Sequence, residues 1–285
     1  MKCSDLITVG LVGAVVGMTG VALMGCGNSA AQTNGVASGQ ARVEQKSNSS
    51  TQSIGEPGKG MTAIKQAAEA GKYLFVFFSK TDDAQTRSMR EVFDKALEKV
   101  VDRAQGVAVT ITDDSERDIV AKFDLSRAPM PLVLALAPNG AVTGGFATTF
   151  DEQELLDAFA SPGAEKVMKS LQDGKLVFVC MQNGKTESND AAMQGVRDFK
   201  SDARFAQATE IVVLDPSDQN EKSFLSELEV SPEIKAATTV FVAPPGNILG
   251  KFEGATNKDA LVESLNKANT GCGPGGCGPG GCGAR

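Results

Sequence analysis

Short apolar runs alternate with amphipathic stretches through the middle of this chain. Residues 73–78 (Tyr-Leu-Phe-Val-Phe-Phe) form a continuous apolar run of strand length, the pattern of a strand buried on both faces. Residues 63–70 before it carry a helical pattern. After it, Met89, Val92, Phe93, Ala96, Leu97, Val100 and Val101 recur at the spacing of one helix face. A second strand is expected at 107–112 and a short helix at 116–123. A strand from Pro131 then runs into a Pro-Asn-Gly turn at 138–140, and a last helix follows.

The pattern then recurs. Residues 131–140 (Pro-Leu-Val-Leu-Ala-Leu-Ala-Pro-Asn-Gly) return 106 positions later as 237–246 (Ala-Thr-Thr-Val-Phe-Val-Ala-Pro-Pro-Gly). At the same offset Phe146 meets Phe252, Leu155 meets Leu261 and Phe159 meets Leu265. Each hairpin leads to a helix with a capping signal, Thr149 with Glu152 and Thr256 with Asp259. Two copies of one domain are the reading, the second with strands at 176–181 and 210–214 and helices near 190–199 and 221–228. The order in each is β-α-β-α-β-β-α, with an extra helix in front of the first. The fold class is therefore α/β, two tandem domains each with a central mixed sheet flanked by helices, spanning 61–161 and 162–269.

The ends read differently. Lys2 precedes an uncharged stretch from Leu6 to Met24, which stops at Leu23-Met24-Gly25-Cys26. A small residue directly before a cysteine resembles the bacterial lipobox, which implies a signal peptide over 1–25 and lipid attachment at Cys26, with Cys3 discarded. An anchor with two or more acyl chains holds stably where one does not. Residues 26–60 are rich in Ser, Gln, Asn and Gly and too poor in apolar side chains to offset their ordering entropy, so a flexible tether is expected. The expected location is the cell envelope, facing the periplasm or exterior, and the outer membrane where there is one, because no aspartate follows Cys26.

Composition narrows the chemistry. The net charge is −7 with both signs interspersed, and no basic stripe is present, so nucleic acid is not an expected partner. Trp is absent and Tyr73 is the one tyrosine. The absence of histidine excludes Ser-His and Cys-His dyads and the usual zinc enzyme sites.

Specific residues carry a family likeness. Residues 71–80 (Gly-Lys-Tyr-Leu-Phe-Val-Phe-Phe-Ser-Lys) resemble the active-site strand of thioredoxin-like proteins, and 123–132 (Phe-Asp-Leu-Ser-Arg-Ala-Pro-Met-Pro-Leu) resemble the segment before their cis-proline. The resemblance implies a thioredoxin fold over about 200 of the 285 residues, with a cis peptide at Pro131. It also implies a CxxC motif at the first turn of the long helix, where a low-pKa thiol performs disulfide exchange. Here Asp82-Asp83-Ala84-Gln85 fall on those positions, so Asp82, Gln85 and Pro131 mark a degenerate site. Adjacent carboxylates there are expected to cap the helix. In copy two the matching stretch is read as 182–186 (Gln-Asn-Gly-Lys-Thr). Ala237 stands at the proline position, where a trans peptide is expected because non-proline cis bonds cost about 2.5–4 kcal/mol.

The remaining cysteines divide in two. Cys180 sits in an apolar strand and is expected to pack as a small hydrophobe. Cys272, Cys277 and Cys282 recur every five residues in a Gly/Pro tail over 270–285. Three exposed thiolates suit Cu(I) or, with a fourth ligand, zinc. They could instead form disulfides outside the cytoplasm. The expectation is a lipid-anchored, non-enzymatic binding or scaffold module for a protein or peptide partner, with thiol–disulfide or soft-metal handling by the tail as the alternative.

Overall fold

In a computed structural model, the structure describes residues 58–270. Cys3, Cys26, Cys272, Cys277 and Cys282, and with them the signal, the lipid site and the tail, lie outside the described residues. Domain 1 runs α1 (Lys59–Glu69), β1 (Tyr73–Ser79), α2 (Ala84–Glu98), β2 (Ala104–Thr110), α3 (Arg117–Lys122), β3 (Leu132–Leu136), β4 (Val142–Ala147) and α4 (Glu152–Leu156). Domain 2 repeats this as α5 (Pro162–Gln172), β5 (Leu176–Met181), α6 (Asn189–Ser201), β6 (Thr209–Leu214), α7 (Lys222–Glu227), β7 (Thr238–Ala243), β8 (Asn247–Glu253) and α8 (Lys258–Thr270). The expected α/β class and tandem arrangement hold, and the extra front helix belongs to both copies.

Each sheet is mixed. Strand order is β2-β1-β3-β4 in the first and β6-β5-β7-β8 in the second. The central strands β1 and β5 pair parallel with β2 and β6 and antiparallel with β3 and β7, and the β3–β4 and β7–β8 hairpins are antiparallel. A continuous apolar run is required of β1 because both its faces are covered. Tyr73, Phe75 and Phe77 pack with Phe93, Ala96 and Leu155 under α2 and α4. Leu74, Val76 and Phe78 pack with Ala67 and Ile119 under α1 and α3. In domain 2, Val177, Val179 and Met181 meet α5 and α7, while Phe178 and Cys180 meet α6 and α8. Phe178 stacks on Phe241 at 4.3 Å and meets Phe199 edge-on at 5.0 Å, a geometry that adds to simple burial.

One device recurs that the sequence pattern did not reveal. Glu116 is 1% exposed and Glu221 4%, in the turns before α3 and α7. The Glu116 carboxylate accepts the Gly60 N–H of α1 at 3.0 Å. That of Glu221 accepts the Gly163 N–H of α5 at 2.8 Å and the Ser161 hydroxyl at 2.5 Å. A carboxylate from more than fifty residues away thus meets the orphan donors and positive end of each front helix. A side chain on Gly60 or Gly163 would collide with that glutamate, at 2.9 and 2.6 Å.

The helix caps differ in position from the expectation. Asp151, not Thr149, caps α4 in a reciprocal capping box with Glu154. Asn257, not Thr256, accepts the Ala260 N–H at the start of α8. In both cases the residue closest to the helix that can present a short side-chain oxygen to the N3 amide takes the role. A second cis peptide, Pro244–Pro245, lies in the β7–β8 turn.

The domain junction is closely tied. The Tyr73 hydroxyl donates to Glu165 on α5 at 2.6 Å and accepts the Ala160 N–H at 2.9 Å. Phe159 packs on Tyr73 at 4.6 Å, and the Arg103 guanidinium lies 4.2 Å from the centre of the Phe159 ring. The Gln172 amide pairs with both backbone groups of Val142, at 2.9 and 2.7 Å, covering the outer edge of β4.

Candidate functional site

The degenerate site of domain 1 forms where β1 ends and α2 begins. Asp83 is the N-cap: its carboxylate accepts the Thr86 N–H and the Thr81 hydroxyl, both at 2.8 Å. These bonds, the Thr86 amide first, hold its carboxyl below the ordinary carboxylate value. Beside it, Asp82 is tied to Arg87, whose guanidinium donates to the Asp82 carbonyl at 2.6 Å and approaches its carboxylate at 3.4 Å. The Asp82–Asp83 pair is exposed and committed to capping and ion pairing, which leaves no poised general acid or base.

Across from this turn the Met130–Pro131 peptide is cis. The Pro131 carbonyl accepts the Thr148 N–H at 2.7 Å. The Thr148 carbonyl in turn accepts the Gln85 side-chain amide at 2.9 Å. Thr148 has φ 66°, a left-handed conformation that turns its carbonyl toward α2. The structure therefore joins Gln85 and Pro131 through Thr148, and fixes Asp82 and Asp83 at the helix start.

Domain 2 departs from the expected alignment. The reading of 182–186 as the counterpart of Asp82–Gln85 is corrected: α6 starts at Asn189, so residues 187–190 (Glu-Ser-Asn-Asp) occupy those places. The reason is a longer connection. Residues 80–83 link β1 to α2, whereas 182–188 link β5 to α6, folded into a polar turn around Asn183. Asn183 bonds Asp215 at 2.8 Å, accepts from the Lys185 amide, and takes the Asn189 amide on its carbonyl. Glu187 then forms an isolated parallel bridge to Ala236. Ala236–Ala237 is not among the cis peptides of the described residues, in line with the expected trans bond.

Cys180 is the one cysteine among the described residues and is 2% exposed, as expected for a core thiol. Burial pushes its pKa up to about 11, against the direction a reactive thiol needs. No cluster of three or more metal-ligating side chains occurs among the described residues. No helix among them is long and apolar enough to cross a membrane.

No protein-family model matches the chain, and no curated protein matches it. Solved structures similar to it contain thioredoxin domains. The first two thioredoxin domains of Saccharomyces cerevisiae Eps1p align at 10% identity over 75% of this chain and 98% of that one, with a TM-score of 0.28. Human ERp44 aligns at 10% identity over 72% of this chain and 55% of its own, with a TM-score of 0.32. Arabidopsis thaliana thioredoxin O2 aligns at 15% identity over 34% of this chain and 81% of that one, with a TM-score of 0.29. The thioredoxin-like assignment rests on the strand order, the parallel and antiparallel pairing and the cis-proline opposite the α2 start.

Proposed function

We propose that this chain is a lipid-anchored, extracytoplasmic thioredoxin-like scaffold that binds a protein or peptide partner at the domain 1 face between Asp82–Gln85 and Met130–Pro131, without catalysing disulfide exchange. The observation that carries the reading is the fate of the two thiol positions. Asp82 is paired with Arg87 and Gln85 is spent on Thr148, with Asp83 capping α2 between them. Neither side chain supplies a nucleophile, while the surrounding frame is intact. Fold alone fixes function only loosely, so the site residues decide between readings. The membrane anchor rests on the 23–26 segment (Leu-Met-Gly-Cys) and on Cys26 as the acylated residue.

A second reading is favoured by one feature, the equal spacing of Cys272, Cys277 and Cys282. In it the tail handles disulfides or a soft cation such as Cu(I) or zinc. Insulin reduction by the full mature chain separates the two. The scaffold reading expects no rate above the reductant background. A rate that vanishes when all three tail cysteines become serine would replace it with the tail reading. Metal content with and without residues 271–285 checks the cation branch, and labelling with a palmitate analogue, lost in Cys26→Ala, checks the anchor.

A further inference from the structure

The outer strands of the two sheets, β2 and β4 in the first and β6 and β8 in the second, are not protected alike. The outer side of β4 is covered by the Gln172 amide. That of β8 carries exposed Lys251 and Glu253, and its pairing with β7 shifts register at Phe241–Val242, both of which discourage a further strand. β2 and β6 remain, and they are counterparts. With Tyr73 opposite Ala104 and Leu176 opposite Thr209, their registers match Gly106 with Ile211 and Ala108 with Val213. The Leu214 carbonyl accepts the Gln182 N–H at 3.0 Å, so the backbone groups of Glu210, Val212 and Leu214 face β5. Those of Ile211 and Val213 face outward and have no partner among the described residues. Domain 1 has glycine and alanine at these places. Domain 2 has two β-branched residues, of which Val213 is 51% exposed.

We propose that β6 is a pairing edge for a second copy of this chain, whose own β6 adds antiparallel about a twofold axis through Val212. In this register Ile211 of each copy stands opposite Val213 of the other and exchanges both main-chain bonds with it. The opposed side chains are apolar on both sides, and the pairing covers the exposed Val213. Charge favours the same register. A groove of about 290 Å³ runs along β6, lined by Lys166, Lys169 and Ser170 of α5 and by Glu210 and Val213. A Cβ on Gly163 would stand 2.5 Å from Leu214, which puts the start of α5 over the C-terminal end of β6. Exposed Lys166 follows about one turn back along the strand. The antiparallel copy brings its Glu210 opposite Leu214, beside that lysine. Moving the axis to Val213 would set this residue against itself and carry the copy's Glu210 past the strand end, away from Lys166. The pairing does not rest on the partner-binding reading of domain 1.

Sedimentation equilibrium of the mature chain tests the pairing, with Cys26→Ser to leave out acyl chains and a reductant to keep the tail thiols from cross-linking. A monomer–dimer equilibrium with a Kd of about 10 μM is expected, the strength of a small, transient interface. Val213→Lys is expected to abolish the dimer with the urea midpoint unchanged, since the side chain is exposed in the single chain. Ala108→Lys, at the matching place on β2, is expected to leave the dimer intact. Lys166→Glu is expected to raise the Kd about tenfold at low salt, because the charge pair occurs twice in the dimer. A monomer at every concentration up to about 100 μM would overturn the proposal, as would a dimer that survives Val213→Lys or is lost in Ala108→Lys.

Amide hydrogen exchange identifies the edge itself. In concentrated, dimeric solution the Ile211 and Val213 amides are expected to exchange about tenfold more slowly than in dilute solution, while the inward Val212 amide is protected in both. A dimer in which Ile211 and Val213 stay unprotected would put the contact on another surface and overturn the β6 pairing.

Discussion

Domain 1 and domain 2 share a strand order, a sheet covered on both faces and a buried glutamate under the front helix, yet diverge where the central strand hands over to the next helix. In domain 1 the handover is short, capped by the Asp83 side chain and faced by a proline. In domain 2 it is longer, Ser188 caps with no side-chain bond, and the preceding Glu187 is bonded through its backbone to Lys235 and Ala237. The difference teaches that the frame and the site are separable. Packing of alternate residues on each strand fixes the first. A few local choices decide the second: one amide in place of an imide, and a longer turn.

The largest effects should fall on the shared frame, and unequally. Glu221→Ala leaves the Gly163 N–H and the Ser161 hydroxyl without their acceptor in a buried place, at about 3 kcal/mol. Glu116→Ala removes one acceptor, at about 2 kcal/mol, because its Oε1 has no partner to lose. Urea midpoints of the two variants check the order, and a larger loss at Glu116 would break the equivalence drawn between the domains. Next comes the junction. Tyr73→Phe deprives the Ala160 N–H and Glu165 of one hydroxyl, at about 1 kcal/mol by the same measurement.

The smallest effects concern pH and have opposite signs at the site and the junction. The Asp83 carboxyl is lowered in the folded chain, so its capping contribution is present above the ordinary value of 3.8 and is lost as pH falls through the folded value. Glu165 is raised, by burial first and with neighbouring Glu221 also raising it, against the lowering effects of the Tyr73 hydroxyl and Lys166. Its contribution is present below the ordinary 4.5 and lost as pH rises through the folded value. An NMR titration should show the Thr86 amide losing protection with acid, while the Tyr73 ring signals hold their bound position. Asp83→Asn should flatten the first response and Glu165→Gln should flatten any drift of the second.

Much of the frame was legible because apolar periodicity and the 106-residue offset are long-range signals. Phe146 with Phe252 and Leu155 with Leu261 do occupy matching places on β4, β8, α4 and α8. The cis bond at Pro131 was legible because the residues around it resemble a known segment. What failed was local. The offset is not constant: β1 and β5 start 103 residues apart, while α2 and α6 start 105 apart, which misplaced the domain 2 site by several residues. Glu116 and Glu221 look like ordinary acidic turns in the sequence. Only the approach of Gly60 and Gly163 makes them buried acceptors, and no short window contains both partners.

Restoring sulfur tests the central claim most directly, that the α2 start of domain 1 keeps a thioredoxin-like geometry while the longer, main-chain-bonded connection to α6 departs from it. In a chain with Cys272, Cys277 and Cys282 changed to serine, Asp82→Cys with Gln85→Cys places a thiol pair at the α2 start. Glu187→Cys with Asp190→Cys does the same at α6. The account predicts insulin reduction by the first variant, through a thiol lowered by the helix start, and none above background by the second. Equal rates from the two variants, or activity from the second alone, would contradict it.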